Sequence, residues 1–170
     1  MRRSLHCIVA LVFMAIGAAL TGSTGSAAPP EPQPVALDCA TDMTVQVLGN
    51  AMPAAADDQA LVLVRAAWAP GGGIGPHTHP GTLVVSVESG SFGVTLEEEG
   101  DMGMAVMRSG DAGTPAAEEL LTPGQEVILT PGDWFIETGM IHSARNAGDE
   151  PVTVLFTGLV AAGQPVTTCA

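Results

Sequence analysis

The sequence predicts an all-β domain, a sandwich or a barrel. Three observations carry that reading. Short runs rich in Val, Ile, Leu, Thr and Phe recur along the chain. Gly, Pro, Asp and Asn punctuate them in the manner of tight turns. Past residue 28, only the short segment 114–121 has a helical period. Many short strands separated by Gly and Pro at this density fit a sandwich or a closed barrel better than any layered α/β arrangement.

At the N-terminus Arg2 and Arg3 precede an apolar run over 7–20 and then small residues to Ala28. This is the pattern of a secretory signal peptide, predicted here as 1–28. The apolar run is shorter than the roughly 20 residues a spanning helix needs. An uncleaved anchor is the alternative. Residues 29–40 hold a proline-rich stretch, AAPPEPQPVAL from Ala27, and read as a linker or an extended arm. A single domain is expected over 41–170. Its predicted strands are 44–48, 61–69, 83–88, 92–97, 104–108, 125–129, 134–137, 141–146 and 152–159. The segment between Gly100 and Pro115 reads as a loop with one short strand. Its Met102, Met104 and Met107 fill apolar gaps or, as soft donors, bind Cu(I).

Charge narrows the partners. The chain has no lysine, and cleavage after 28 leaves three arginines against 18 acidic residues, a net charge of −15. Such a surface repels phosphate backbones and anionic lipid, so neither nucleic acid nor a membrane surface is an expected partner of the mature chain. Acidic clusters such as 97–99 read as solvated loops or strand ends. Cys39 and Cys169 survive cleavage, one near each end of the domain. In an oxidising compartment they read as a disulfide; two free thiols or metal ligands are the alternative. A secreted, extracytoplasmic location follows.

Three histidines remain after cleavage: His77, His79 and His142. His77 and His79 are two apart, so an extended strand projects them from one face. By the same parity Leu83, Val85 and Val87 share that face, while Val84, Ser86 and Glu88 point away. The glycines ahead of His77 let the backbone bend and approach closely. On spacing alone, a His-x-His pair is also compatible with a surface or structural role. No Gly-x-Ser-x-Gly elbow or phosphate loop is present. Without Lys or Tyr, Schiff-base and phenol chemistry are excluded.

The stretch Gly71, five residues, His77-Thr78-His79, three residues, Leu83, six residues, Gly90 resembles the first motif of the cupin family, G-x5-H-x-H-x3,4-E-x6-G. Gly139, two residues, His142, three residues, Asn146 resembles the end of the second, G-x5-P-x-G-x2-H-x3-N. With flanking strands the resemblance covers roughly 44–160. It implies an antiparallel jelly-roll β-barrel, with one divalent transition metal (Fe, Mn, Zn, Ni or Cu) on His77, His79 and His142. It also implies a small-molecule ligand and, as in many cupins, a possible homodimer. Three positions depart from the pattern. Leu83 stands where the first motif has a glutamate, Glu137 stands at the second motif's proline, and that motif's leading glycine falls one residue late, at Gly132, followed by Asp133. A neutral three-histidine set leaves coordination positions open. Similar cupins, thiol and diketone dioxygenases among them, use such a set with iron, so dioxygenase-type chemistry on a small bidentate substrate is one expectation. A non-catalytic small-ligand or metal-binding module is the other. Glu137, at the turn before His142, and Met140, sharing its parity, are candidate extra ligands. Phe92, Trp134, Phe135 and Phe156 are candidate pocket or core aromatics. Asn146 is expected to close a turn, and Arg145 to face solvent or a subunit contact.

Overall fold

The structure, a computed structural model, describes residues 31–98, 104–110 and 115–170. The predicted signal peptide lies outside the described residues, as does Met102. Among the described residues twelve strands are found: β1 (Gln33–Pro34), β2 (Ala40–Ala51), β3 (Gln59–Thr78), β4 (Gly81–Ser89), β5 (Phe92–Leu96), β6 (Ala105–Ser109), β7 (Pro115–Leu120), β8 (Glu126–Leu129), β9 (Trp134–Glu137), β10 (His142–Asn146), β11 (Val152–Ala161) and β12 (Thr168–Cys169). Every pairing is antiparallel, in the order β7-β6-β9-β4-β11-β3-β10-β5-β8, with β2 and β12 also on β3. The all-β class is as expected, a curled antiparallel sheet consistent with a jelly roll.

Two elements differ from the expectation. The helical period over 114–121 is overridden: Pro115–Leu120 forms β7, paired with β6. A segment this short gains little from helix propensity alone, and the neighbouring strand supplies the backbone partners instead. Likewise 61–69 and the histidine stretch form one strand of 20 residues.

That strand positions the site. Its first half lies between β2 and β11, and its second half between β10 and the ends of β2 and β12. The change of partner falls at Gly71–Gly72. Gly71 has φ +83°, and a Cβ on Gly72 would stand 2.9 Å from the Asp42 carbonyl oxygen. Only glycine lets the two backbones approach so closely. Asp42 itself takes φ +47° where the β2 register shifts, so both strands bend together.

A second irregularity follows. Val62, Val64, Ala66, Trp68 and Ile74 alternate inward, and simple continuation would turn His77 outward. On β10, however, His142 pairs with His77 while Ala144 pairs with Ile74. Ser143 alone therefore opposes both Gly75 and Pro76, and this bulge returns His77 to the inner face. Beyond the break at Pro80, Leu83, Val85 and Val87 of β4 are buried on the same side. The core fills the inside of the curl with Val, Leu, Ile and Phe from both halves of the sheet.

The proline-rich segment is an arm laid along the domain. Gln33 and Pro34 pair with Val45 and Thr44, and Leu37 packs on the core. At the opposite end of the chain, Cys169 bonds Cys39 across 130 residues of sequence.

Candidate metal centre

His77 lies on β3, His79 just past its end, and His142 opens β10. All three are buried, at 4%, 8% and 4% exposure. Their ring centres are 4.2 Å (His77–His142), 5.0 Å (His77–His79) and 5.5 Å (His79–His142) apart. One ligand atom from each lies within 4.8 Å of the others. The structure thus brings together the three histidines singled out in the sequence.

The second nitrogen of each ring fixes the tautomer. His77 Nδ1 lies 2.9 Å from the Gly75 carbonyl, His79 Nδ1 2.7 Å from that of Val166, and His142 Nδ1 3.2 Å from that of Met140. A carbonyl only accepts, so each Nδ1 carries the proton and each Nε2 keeps its lone pair. Thr167 Oγ1, 3.2 Å from His79 Nδ1, supports the same ring. Burial lowers all three imidazole pKa values, that of His79 to about 4 and that of His142 to about 3, with His77 adding repulsion to both. The rings therefore stay neutral, the form a metal requires.

Leu83, at the position of the motif glutamate, is 1% exposed and lines the cavity beside the triad. The carboxylate nearest the triad comes from the next strand. Glu137, a candidate extra ligand at the end of the expected strand 134–137, ends β9 directly opposite Leu83 and is wholly buried. Strand β9 extends through 137 because it pairs with β4 as far as Leu83. Glu137 Oε2 is 3.8 Å from His142 Nδ1, on the protonated side of that ring, and neither oxygen has a hydrogen-bond partner among the described residues. Desolvation pushes its pKa up to about 8, against a smaller opposing effect of the Gly139 amide. Glu137 is thus a neutral acid behind His142 at moderate pH, outside the three-histidine group.

Met140 is buried and offers His142 its carbonyl, while its side chain is absent from the cavity wall. Met104, wholly buried, is core. Asn146 closes the turn after β10: Nδ2 donates to the carbonyls of Trp68 (3.2 Å) and Glu150 (2.8 Å), and Oδ1 accepts from the Gly148 amide. Arg145 faces outward, paired with Glu126 at 2.5 Å.

A cavity of about 360 Å³ opens beside the imidazoles. Phe92, Phe135 and Phe156 contribute to its wall, and Trp134 does not. Sequence reasoning missed several contributors. Trp68 lines it, buried, with its ring 5.2 Å from that of Phe92. The arm from Pro34 to Leu37 borders it, as do Val166 and Thr167 of the tail. The inward alternation of 62–68 could have flagged Trp68; nothing local marks the arm or tail.

No protein-family model matches the chain, and no curated protein matches it. Solved structures it is similar to include oxalate decarboxylase from Bacillus subtilis, at 16% identity and a TM-score of 0.48, over 82% of this chain and 29% of that one. Another is a polyketide cyclase from Streptomyces resistomycificus, at 19% and 0.43, over 80% and 82%. A third is a cupin superfamily protein from Desulfitobacterium hafniense, at 14% and 0.45, over 69% and 77%. The chain spans under a third of the length of the oxalate decarboxylase. Likeness at this level concerns the course of the chain, not its chemistry.

Proposed function

We propose that this chain is an extracytoplasmic cupin that holds one divalent transition metal on His77, His79 and His142 and presents it to a small ligand. One observation carries the reading. Three buried imidazoles converge with every Nδ1 proton given to an acceptor, which leaves three unprotonated Nε2 atoms for a common partner. Lone pairs gathered in an apolar pocket repel one another unless a cation satisfies them. The donor set suits iron, manganese, zinc, nickel or copper. The signal-peptide pattern, the acidic surface and the Cys39–Cys169 bond support the location.

A metal there would supply Lewis acidity and, with iron, manganese or copper, one-electron chemistry. The chain's own residues orient the imidazoles, hold them neutral and keep the surroundings dry through Leu83, Val85 and Phe135. With leucine at 83, the protein fills three coordination positions and leaves the rest to ligand or water. That openness favours a dioxygenase-type reaction on a small bidentate substrate. A non-catalytic small-ligand or metal-binding module is the second reading; its support is the absence of any charged side chain on the cavity wall among the described residues.

Metal analysis of untagged protein beside a His77→Ala/His142→Ala variant tests the proposal. The expected result is about one equivalent in the former and loss of most of it in the latter; equal contents overturn it. Because His79 and His142 resist protonation to about 4 and about 3, retention is expected to about pH 5 with release below about pH 4. Oxygen uptake with thiols, diketones and catechols separates enzyme from module. Silence across the panel, with a ligand-induced thermal shift, supports the module.

A further inference from the structure

We infer that the proline-rich arm is a binding element: Pro34 to Leu37, with Val45 and Val47 of β2, clamp the hydrocarbon body of a small ligand whose head sits at the histidines.

The clamp is the open end of an apolar row. Val47 pairs with Val64, Val64 with Phe156, Phe156 with Val85, and Val85 with Phe135. Side chains directly opposed across antiparallel strands stand on one face, so the row crosses β2, β3, β11, β4 and β9. All five residues line the cavity. The row passes beside the triad, with the Phe156 ring 6.3 Å from that of His79 and the Phe135 ring 6.5 Å from that of His142. Val64, Val85 and Phe135 are buried, whereas Val47, on the same inner face, is 48% exposed. Val45, opposite the buried Ala66, shares that face and is also only partly buried. An inward apolar wall left partly in water is one that a ligand's hydrocarbon gains by covering.

The arm borders that end. Gln33 and Pro34 pair with Val45 and Thr44, and the Val35 amide donates to the Met43 carbonyl at 3.1 Å. All four residues from Pro34 to Leu37 line the cavity, and none carries a polar side chain. Leu37 packs on the core, and two residues on Cys39 is bonded to Cys169, so the arm is fixed at its root. Pro34 restricts the backbone. An arm already extended loses little freedom when a ligand fills the space beside it. Among the described residues no charged side chain lines the cavity, so a charged body would lie there desolvated and unpaired. The volume, about 360 Å³, is within the range of small-molecule sites.

The seat of the head at the histidines rests on the metal reading; the clamp does not. The test uses acetohydroxamate and octanohydroxamate, which share one head and differ in the length of the hydrocarbon body. Each is titrated calorimetrically into zinc-loaded and metal-free protein, and amide hydrogen exchange of the segment 33–43 is followed by mass spectrometry. A half-buried methylene is worth about twofold in affinity, so octanohydroxamate should bind about fiftyfold more tightly to the zinc-loaded protein. It alone should slow exchange at Val35 to Leu37, and at higher concentration it should do so without metal. Val47→Asp, at a half-exposed position where a polar residue is tolerated, should cut the ratio of the two affinities about fivefold or more. Slowed arm exchange with octanohydroxamate in protein that takes up no zinc upholds the clamp and sinks the metal reading. Zinc uptake with equal affinity for the two probes overturns the clamp and leaves the metal reading standing. So does octanohydroxamate binding without slowed arm exchange, or an affinity ratio that survives in Val47→Asp.

Discussion

At the scale of single residues, Glu137 and the histidines set opposite pH dependences in the metal-free protein. Between the ordinary carboxyl value of 4.5 and about 8, folded Glu137 keeps a proton that the unfolded chain has lost. Stability therefore falls as pH rises through that window. The imidazoles act in the other direction. Below 6.5 the unfolded chain takes up protons that the folded rings resist, so stability falls as pH drops towards about 3. Glu137→Gln removes the first effect alone. Urea midpoints from pH 6.5 to 9 are expected to decline in the wild type and run flatter in the variant. Metal content should be unchanged, since Glu137 faces the protonated nitrogen of His142. Loss of metal in Glu137→Gln would instead make this carboxylate a ligand.

At the scale of elements, the tightest contact is between β4 and β11. A Cβ built on Gly158 would stand 2.0 Å from the Thr82 carbonyl oxygen, and one on Gly81 equally close to that of Leu159. Backbone cannot yield as a flexible side chain does. Gly158→Ala is therefore expected to cost more than about 2 kcal/mol in denaturant unfolding, as other strained core changes do. Gly49→Ala, with nothing within 4 Å, should stay within about 0.5 kcal/mol. The disulfide belongs to the same scale. Cys169 pairs with His77 across β12 and β3, the Cys39 carbonyl accepts from the Gly75 amide at 2.8 Å, and the tail beside it supplies the Val166 carbonyl to His79. Cys39→Ser/Cys169→Ser is expected to cost about 2–5 kcal/mol of stability. Through the loosened Nδ1 acceptors it should also weaken metal binding by about tenfold or more. Unchanged metal affinity in a folded double variant would show that the tail holds His79 without the bond.

At the scale of the molecule, charge and chemistry are segregated. The arginines of the described residues are tied to acidic partners away from the cavity, and the interior is apolar apart from the imidazoles, Glu137, Asn146, Asp133 and the Trp68 indole. Asp133 illustrates how the outer polar groups serve the fold: it accepts from the Ser109 and Thr130 amides and pairs with Arg108, fastening β6 beside the turn into β9. An acidic exterior around a neutral pocket draws cations towards the protein.

The sequence by itself determined the all-β class, most strand positions and the shared inward face of His77, His79, Leu83, Val85 and Val87. Alternation and turn residues are local signals, carried within a few residues of chain. It also placed His77, His79 and His142 in two short stretches. Tertiary structure decided the rest. The parity that brings His77 inward depends on a bulge visible only against β10, and the carbonyls that fix each tautomer include one from the far C-terminal tail. Glu137 lies across from Leu83 because two strands 54 positions apart happen to pair, and the arm and the C-terminal tail both border the cavity although they are far apart in sequence. Antiparallel pairing between distant segments is a non-local choice, fixed by how the whole sheet closes over its core.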